Sequence, residues 1–126
     1  MDEQLLPRQT QIVDTKMIRG LQAFYEVESR DWKDVRGECS RVSEYIARQF
    51  GLSYVEGKFV LDMPLTAGGI SNEEDHAWCV DGRQMVVDLT AAQFNNGLHK
   101  KLPKGLMIIG PEDELFGRYR QSKKTL

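Results

Sequence analysis

The chain has 126 residues, 40% of them hydrophobic, with 17 Lys and Arg against 19 Asp and Glu and a formal charge of −2. That length and balance predict a single domain over 1–126, with a core large enough to need neither metal nor disulfide staples. No uninterrupted apolar stretch exceeds four residues, so no membrane span is expected, and net acidity argues against a nucleic-acid partner for the domain.

In chain order, Asp2 and Glu3 stand where a secretory signal needs basic residues. A reducing cytoplasm is therefore expected, with Cys39 and Cys79 as free thiols rather than a disulfide framework. Residues 1–10 are expected to fray. From 13 to about 29, Val13, Met17, Leu21, Phe24 and Tyr25 recur at three- and four-residue spacing, predicting an amphipathic helix with Asp14 available as its cap. Gly20 inside that helix costs about 1 kcal/mol relative to Ala and suggests either a close packing contact or a weaker helix. A second helix is predicted over 39–50, with Val42, Tyr45, Ile46 and Phe50 on one face and Gly51 as its stop. Gly37 allows a sharp entry, which puts Cys39 at the helix start.

Beyond Gly51 the period changes. Residues 53–61 read as a strand bent at Gly57, and residues 64–75 as a loop containing Gly68-Gly69 and Glu73-Glu74-Asp75. Two strand-like runs follow, 76–80 and 84–89, around Asp81-Gly82-Arg83 as hairpin punctuation. Residues 90–94 suggest a helical turn broken by Asn95-Asn96-Gly97, and 106–109 a short strand ended by Gly110-Pro111. From Leu98 onward there are 7 basic and 3 acidic residues, so the tail around Arg118, Arg120, Lys123 and Lys124 is expected to be solvated, with 121–126 frayed. Helices followed by strands predict an α+β domain with N-terminal helices packed on an antiparallel sheet.

Three residues suggest chemistry together: Cys39 at a helix start, His76 opening a hairpin strand, and Asp88 near the end of its partner. A three-residue loop pairs Val80 with Gln84 and places His76 opposite Asp88. A two-residue turn pairs His76 with Val87 and sends Asp88 to the other face. Only a thiolate attacks a carbonyl efficiently, and lowering a thiol from about 8.5 to about 6 takes roughly 3.4 kcal/mol. A helix N-terminus supplies roughly 0.3 to 1 kcal/mol, so an imidazolium held by a carboxylate must supply most of the rest.

Gly37-Glu38-Cys39-Ser40, with Trp32 upstream and a helix after it, resembles the nucleophile segment of the transglutaminase-like branch of the papain-like superfamily. His76-Ala77-Trp78-Cys79-Val80 and Val86-Val87-Asp88-Leu89-Thr90 resemble its histidine and aspartate strands. The resemblance covers residues 32–94. It implies a transglutaminase/papain-like fold, Cys39 as nucleophile, His76 as general base and acid, and Asp88 as the orienting residue. It also implies acyl transfer at a peptide, protein or small amide substrate, with no metal or organic cofactor. Residues 31–38 contain no Gln to serve an oxyanion hole, leaving that task to the Cys39 amide. The alternative is a non-catalytic binding module that keeps the fold.

Other candidates are secondary. Cys79, three positions beyond His76, faces the opposite side of the strand and is expected to be an inert core thiol. A zinc site from Cys39, His76, Cys79 and His99 lacks paired ligand spacing, and His99 beside Lys100 and Lys101 reads as a solvated loop residue. Trp78 shares the His76 face and is expected either to line the site or to fill the core. Glu74 and Asp75, with Glu73, would favour a basic substrate group and raise the His76 pKa, and the 64–75 loop would act as a lid.

Overall fold

The computed structural model describes residues 10–32, 38–65 and 68–122. Two helices, α1 (Thr15–Glu28) and α2 (Cys39–Phe50), precede five strands: β1 (Ser53–Val60), β2 (Glu73–Val80), β3 (Val86–Asp88), β4 (Met107–Ile109) and β5 (Tyr119–Gln121). The fold is α+β, with an antiparallel sheet in the order β4-β3-β2-β1-β5. Among the described residues no helix is long and apolar enough to cross a membrane.

The helices begin and end where the sequence chemistry requires. The Asp14 carboxylate caps α1 by accepting from the Met17 amide at 2.8 Å. Gly51 ends α2 in the left-handed region, at φ 71°, where a side chain would be strained. A Cβ on Gly20 would sit 2.9 Å from the Phe50 ring, so the glycine lets α1 approach α2 closely. Tyr45, expected on the buried face of α2, is instead half-exposed and stacked on Phe24.

Strand alternation divides the core in two. Cys79 and Val87 point toward the helices and pack with Leu21, Val42, Ile46 and Leu52. Val55, Phe59, Trp78, Val86 and Ile109 point to the other face, where a 3-10 turn (Ala91–Gly97) supplies Phe94. Each such large apolar side chain contributes about 1.5–3 kcal/mol on burial, so the sheet is anchored from both sides.

Three expectations change. Glu73, Glu74 and Asp75 belong to β2, not to a loop, because the basic neighbours Lys58 and Arg120 offset Asp75 and Glu73 across the strands. Gly57 does not bend β1; it lies against β5, where a Cβ would overlap the Arg120 carbonyl and come within 2.9 Å of Gln121 Cα. The basic tail is structured through Ser122. Arg118 donates to the Val60 carbonyl at 2.7 Å and to Asp62 at 2.8 Å, and β5 pairs Tyr119 with Phe59 and Gln121 with Gly57. At the other end, Thr10 bonds Ser53, and the Gln11 amide donates to the Gly51 carbonyl. The remaining fraying expected over 1–9 and 123–126, and the turn at Gly37, lie outside the described residues.

Candidate active site

The β2–β3 register decides whether His76 and Asp88 share a face. Val80 pairs with Val86 and Cys79 with Val87, so the connection is five residues, 81–85. Neither shorter turn forms, because Asp81 organises a longer one. Its buried carboxylate accepts from the amides of Arg83 at 2.8 Å, Met85 at 2.9 Å and Val13 at 3.0 Å, while Gln84 takes a left-handed φ of 71°. Continuing the register puts Asp88 opposite Trp78 and diagonal to His76. An odd-length loop keeps both side chains on one face, as the three-residue loop would have done.

His76 and Asp88 meet there with both side chains wholly inaccessible, Nε2 lying 2.7 Å from Asp88 Oδ2. The short contact assigns the Nε2 proton, donated to the carboxylate. Thr90 donates to Oδ1 from its amide at 2.9 Å and its hydroxyl at 3.3 Å, and the Tyr119 hydroxyl donates to Oδ2 at 2.7 Å. Phe59, Phe94 and Trp78 wall the imidazole, with ring centroids 5.9, 4.8 and 5.7 Å away.

Cys39 is half-buried, the first residue of α2. Two bonds hold that helix on β2: the Ser43 hydroxyl donates to the Ala77 carbonyl at 3.2 Å, and the Cys79 thiol donates to the Ser43 carbonyl at 3.1 Å. The small Ala77 side chain permits this approach, which brings the Cys39 sulfur within interaction range of the His76 ring and the Ala77 amide. With Nε2 committed to Asp88, Nδ1 is the ring atom left for the thiol. It is buried and makes no fully formed hydrogen bond, the loose geometry common in a site at rest.

The electrostatics of the three groups are reciprocal. Burial opposes the Cys39 thiolate, but its interaction with the His76 ring, aided by the Ala77 amide, outweighs it and holds the thiol below its ordinary value. Burial likewise opposes charge on His76. The Asp88 charge and hydrogen bond, with smaller contributions from Cys39, outweigh that and raise the ring from 6.5 to about 9. Asp88 itself stays below the usual carboxylate range, its burial overcome by the His76 charge and by the donors around it. Both shifts act in the direction of a thiolate–imidazolium pair.

Cys39 and His76 belong to the lining of a cleft of about 570 Å³ whose rim carries Lys58, Glu73, Asp75 and Arg120. Asp75 is there as expected, held by Lys58 at 2.7 Å, and Glu73 lies beside it. Glu74 is not: paired with Phe59, it alternates to the other face of β2. Trp78 is 2% exposed and packs in the core, so it fills space and does not line the cleft. The described part of residues 64–72 contributes nothing to the lining, which comes from α2 and the strands, and the elevation of His76 is caused by Asp88 and Cys39 rather than by the acidic run.

Cys79 is fully buried, and burial pushes its thiol up to about 12. It faces away from His76, and His99 lies on an exposed loop, so the four residues of the zinc alternative are not brought together. Among the described residues no group of three or more His, Cys, Asp or Glu side chains is placed to hold a metal ion. Tyr119 is the member of the constellation that sequence reasoning missed. The apolar side chains Leu115, Phe116 and Tyr119, set among charges, were the available signal that this tail packs.

No protein-family model matches the chain, and no significant match was found among curated proteins or solved structures.

Proposed function

We propose that the chain is a cysteine-dependent acyl-transfer enzyme, with Cys39 as nucleophile, His76 as proton shuttle and Asp88 as orienting residue, on a transglutaminase/papain-like fold. The observation that carries this reading is the continuous relay from a half-buried thiol at a helix start, through a wholly buried imidazole, to a carboxylate with no unfilled role. A purely structural histidine does not require a neighbouring thiol of lowered pKa opening into the same cleft.

The chemistry runs in two halves. The Cys39 thiolate attacks the carbonyl carbon of an amide, and the developing oxyanion lies near the start of α2, where the first backbone amides lack intrahelical acceptors. The His76 imidazolium passes its proton to the departing nitrogen as the C–N bond breaks, leaving a thioester on Cys39 and a neutral ring. Water or an amine then attacks the thioester, His76 takes its proton, and the thiolate leaves. Hydrolysis, deamidation and transamidation differ only in the leaving and entering groups, so the substrate is a peptide, protein or small amide. A reducing compartment such as the cytoplasm would keep Cys39 competent.

Iodoacetamide alkylation across pH tests the reading, with labelled residues identified by mass spectrometry. Cys39 is expected to react well below pH 8.5, Cys79 only after denaturation, and His76→Ala to move the Cys39 profile upward by more than one pH unit. A Cys39 profile centred near 8.5 or above and indifferent to His76 would establish the binding-module alternative instead.

A further inference from the structure

We propose that Tyr119 is a positioning residue of this relay, its hydroxyl fixing the Asp88 carboxylate and moderating the strength with which Asp88 holds the His76 proton. The inference rests on the acyl-transfer reading and assigns a fourth member to the site from a segment outside residues 32–94, where the sequence resemblance lies.

The geometry is specific. Asp88 Oδ2 receives two donors, His76 Nε2 and the Tyr119 hydroxyl, each at 2.7 Å, while Thr90 supplies both donors to Oδ1. The carboxylate therefore cannot rotate without giving up bonds at both oxygens. The Tyr119 ring is itself fixed, edge-on to Phe59 at 5.1 Å and to Trp78 at 5.1 Å. Its backbone is locked by β1–β5 pairing, by Arg118 on Val60 and Asp62, and by the Ser122 amide on the Glu56 carbonyl.

A donor on the same oxygen that binds the imidazolium draws negative charge from it. The groups facing His76 are Cys39 from α2, Asp88 from β3 and Tyr119 from β5; Phe59, Trp78 and Phe94 contribute uncharged walls. An Asp88 with an unfilled lone pair in this enclosure would hold the Nε2 proton more tightly, stabilise the imidazolium and so slow transfer of the Nδ1 proton to the departing nitrogen. Burial and the Asp88 charge keep the phenol protonated, so it remains a donor throughout the working range of the relay.

The test follows the His76 ring by NMR against pH in the full chain, alongside Cys39 alkylation by iodoacetamide. His99 is the only other histidine, which makes assignment direct. Tyr119→Phe keeps the ring contacts and removes the hydroxyl. It is expected to raise the His76 inflection above its starting position near 9 by about half a pH unit or more, about a threefold gain in proton affinity. Incorporating 3-fluorotyrosine at Tyr119 strengthens the donor and is expected to move the inflection down, which decides the matter even if Tyr119→Phe does not fold. An inflection that moves with neither change, in a protein whose Cys39 still depends on His76, would leave Tyr119 as packing only. Loss of that Cys39 dependence would instead overturn the acyl-transfer reading beneath it.

Discussion

Replacing Gly57 by Ala tests how the C-terminal strand reaches the site. An added Cβ would overlap the Arg120 carbonyl oxygen and lie 2.9 Å from both Arg120 C and Gln121 Cα. All three are backbone atoms of a paired strand, so no rotamer change relieves the clash, and β5 must shift or detach. Overpacking that is partly absorbed costs about 1–3 kcal/mol. Detachment forfeits at most about 1.5–3 kcal/mol for the partly buried Tyr119 side chain and about 0.5–1.5 kcal/mol for each lost hydrogen bond. A net loss of about 2–4 kcal/mol is therefore expected, read in urea as a midpoint lowered by on the order of 1–2 M. Gly20→Ala is the matched control. The nearest neighbour of its Cβ would be the far edge of the Phe50 ring at 2.9 Å, which can rotate, and the helix gains about 1 kcal/mol of propensity. Near-neutral Gly20→Ala beside costly Gly57→Ala is the expected pattern. A Gly57→Ala protein within about 0.5 kcal/mol of the parent would refute the claim that strand spacing at Gly57 requires a missing side chain.

Two further outcomes follow from buried ionisable groups. Asp81→Ala orphans the amides of Val13, Arg83 and Met85 at about 1 kcal/mol each, so thermal unfolding should drop by on the order of 10 °C, with Asp81→Asn intermediate; a drop of only a degree or two would contradict the role given to the loop. His76 contributes stability that is fully present below its unfolded pKa of 6.5 and is lost as pH rises through about 9, worth at most about 3 kcal/mol at 1.36 kcal/mol per pH unit. In a Cys39→Ser background, which removes the thiolate's opposite dependence, urea stability should decline across that window and adding His76→Gln should flatten the decline. A profile already flat with His76 present would count against a protonated ring.

What was legible in the sequence was mostly local. Asp14 as a cap, Gly51 as a stop and the close contact at Gly20 follow from residue chemistry within one or two turns, and each is found in the structure. The common face of His76 and Asp88 was legible only through parity. The predicted three-residue loop and the observed five-residue loop differ by two, so the pairing partner was misplaced while the face was right. What was lost depended on distant partners. The acidic run looked like loop because Lys58 and Arg120, which offset Asp75 and Glu73, come from other strands. Tyr119 looked like part of a solvated tail because its hydroxyl partner is 31 residues earlier in the chain. Trp78 had two readings by alternation, and the packing of Val55, Phe94 and Leu98 around the same core assigns it to the interior.

The Asp81 loop also protects the register of its hairpin. With Val80 still paired to Val86, residues added to or removed from the loop leave Asp88 on the face of His76. A slip of the pairing by one residue would instead turn Asp88 toward the helices, leave His76 without its partner and carry Val87 out of its core in the same step. Loops grafted beside the relay should therefore preserve it at either parity, provided that the Val80–Val86 and Cys79–Val87 pairs are kept.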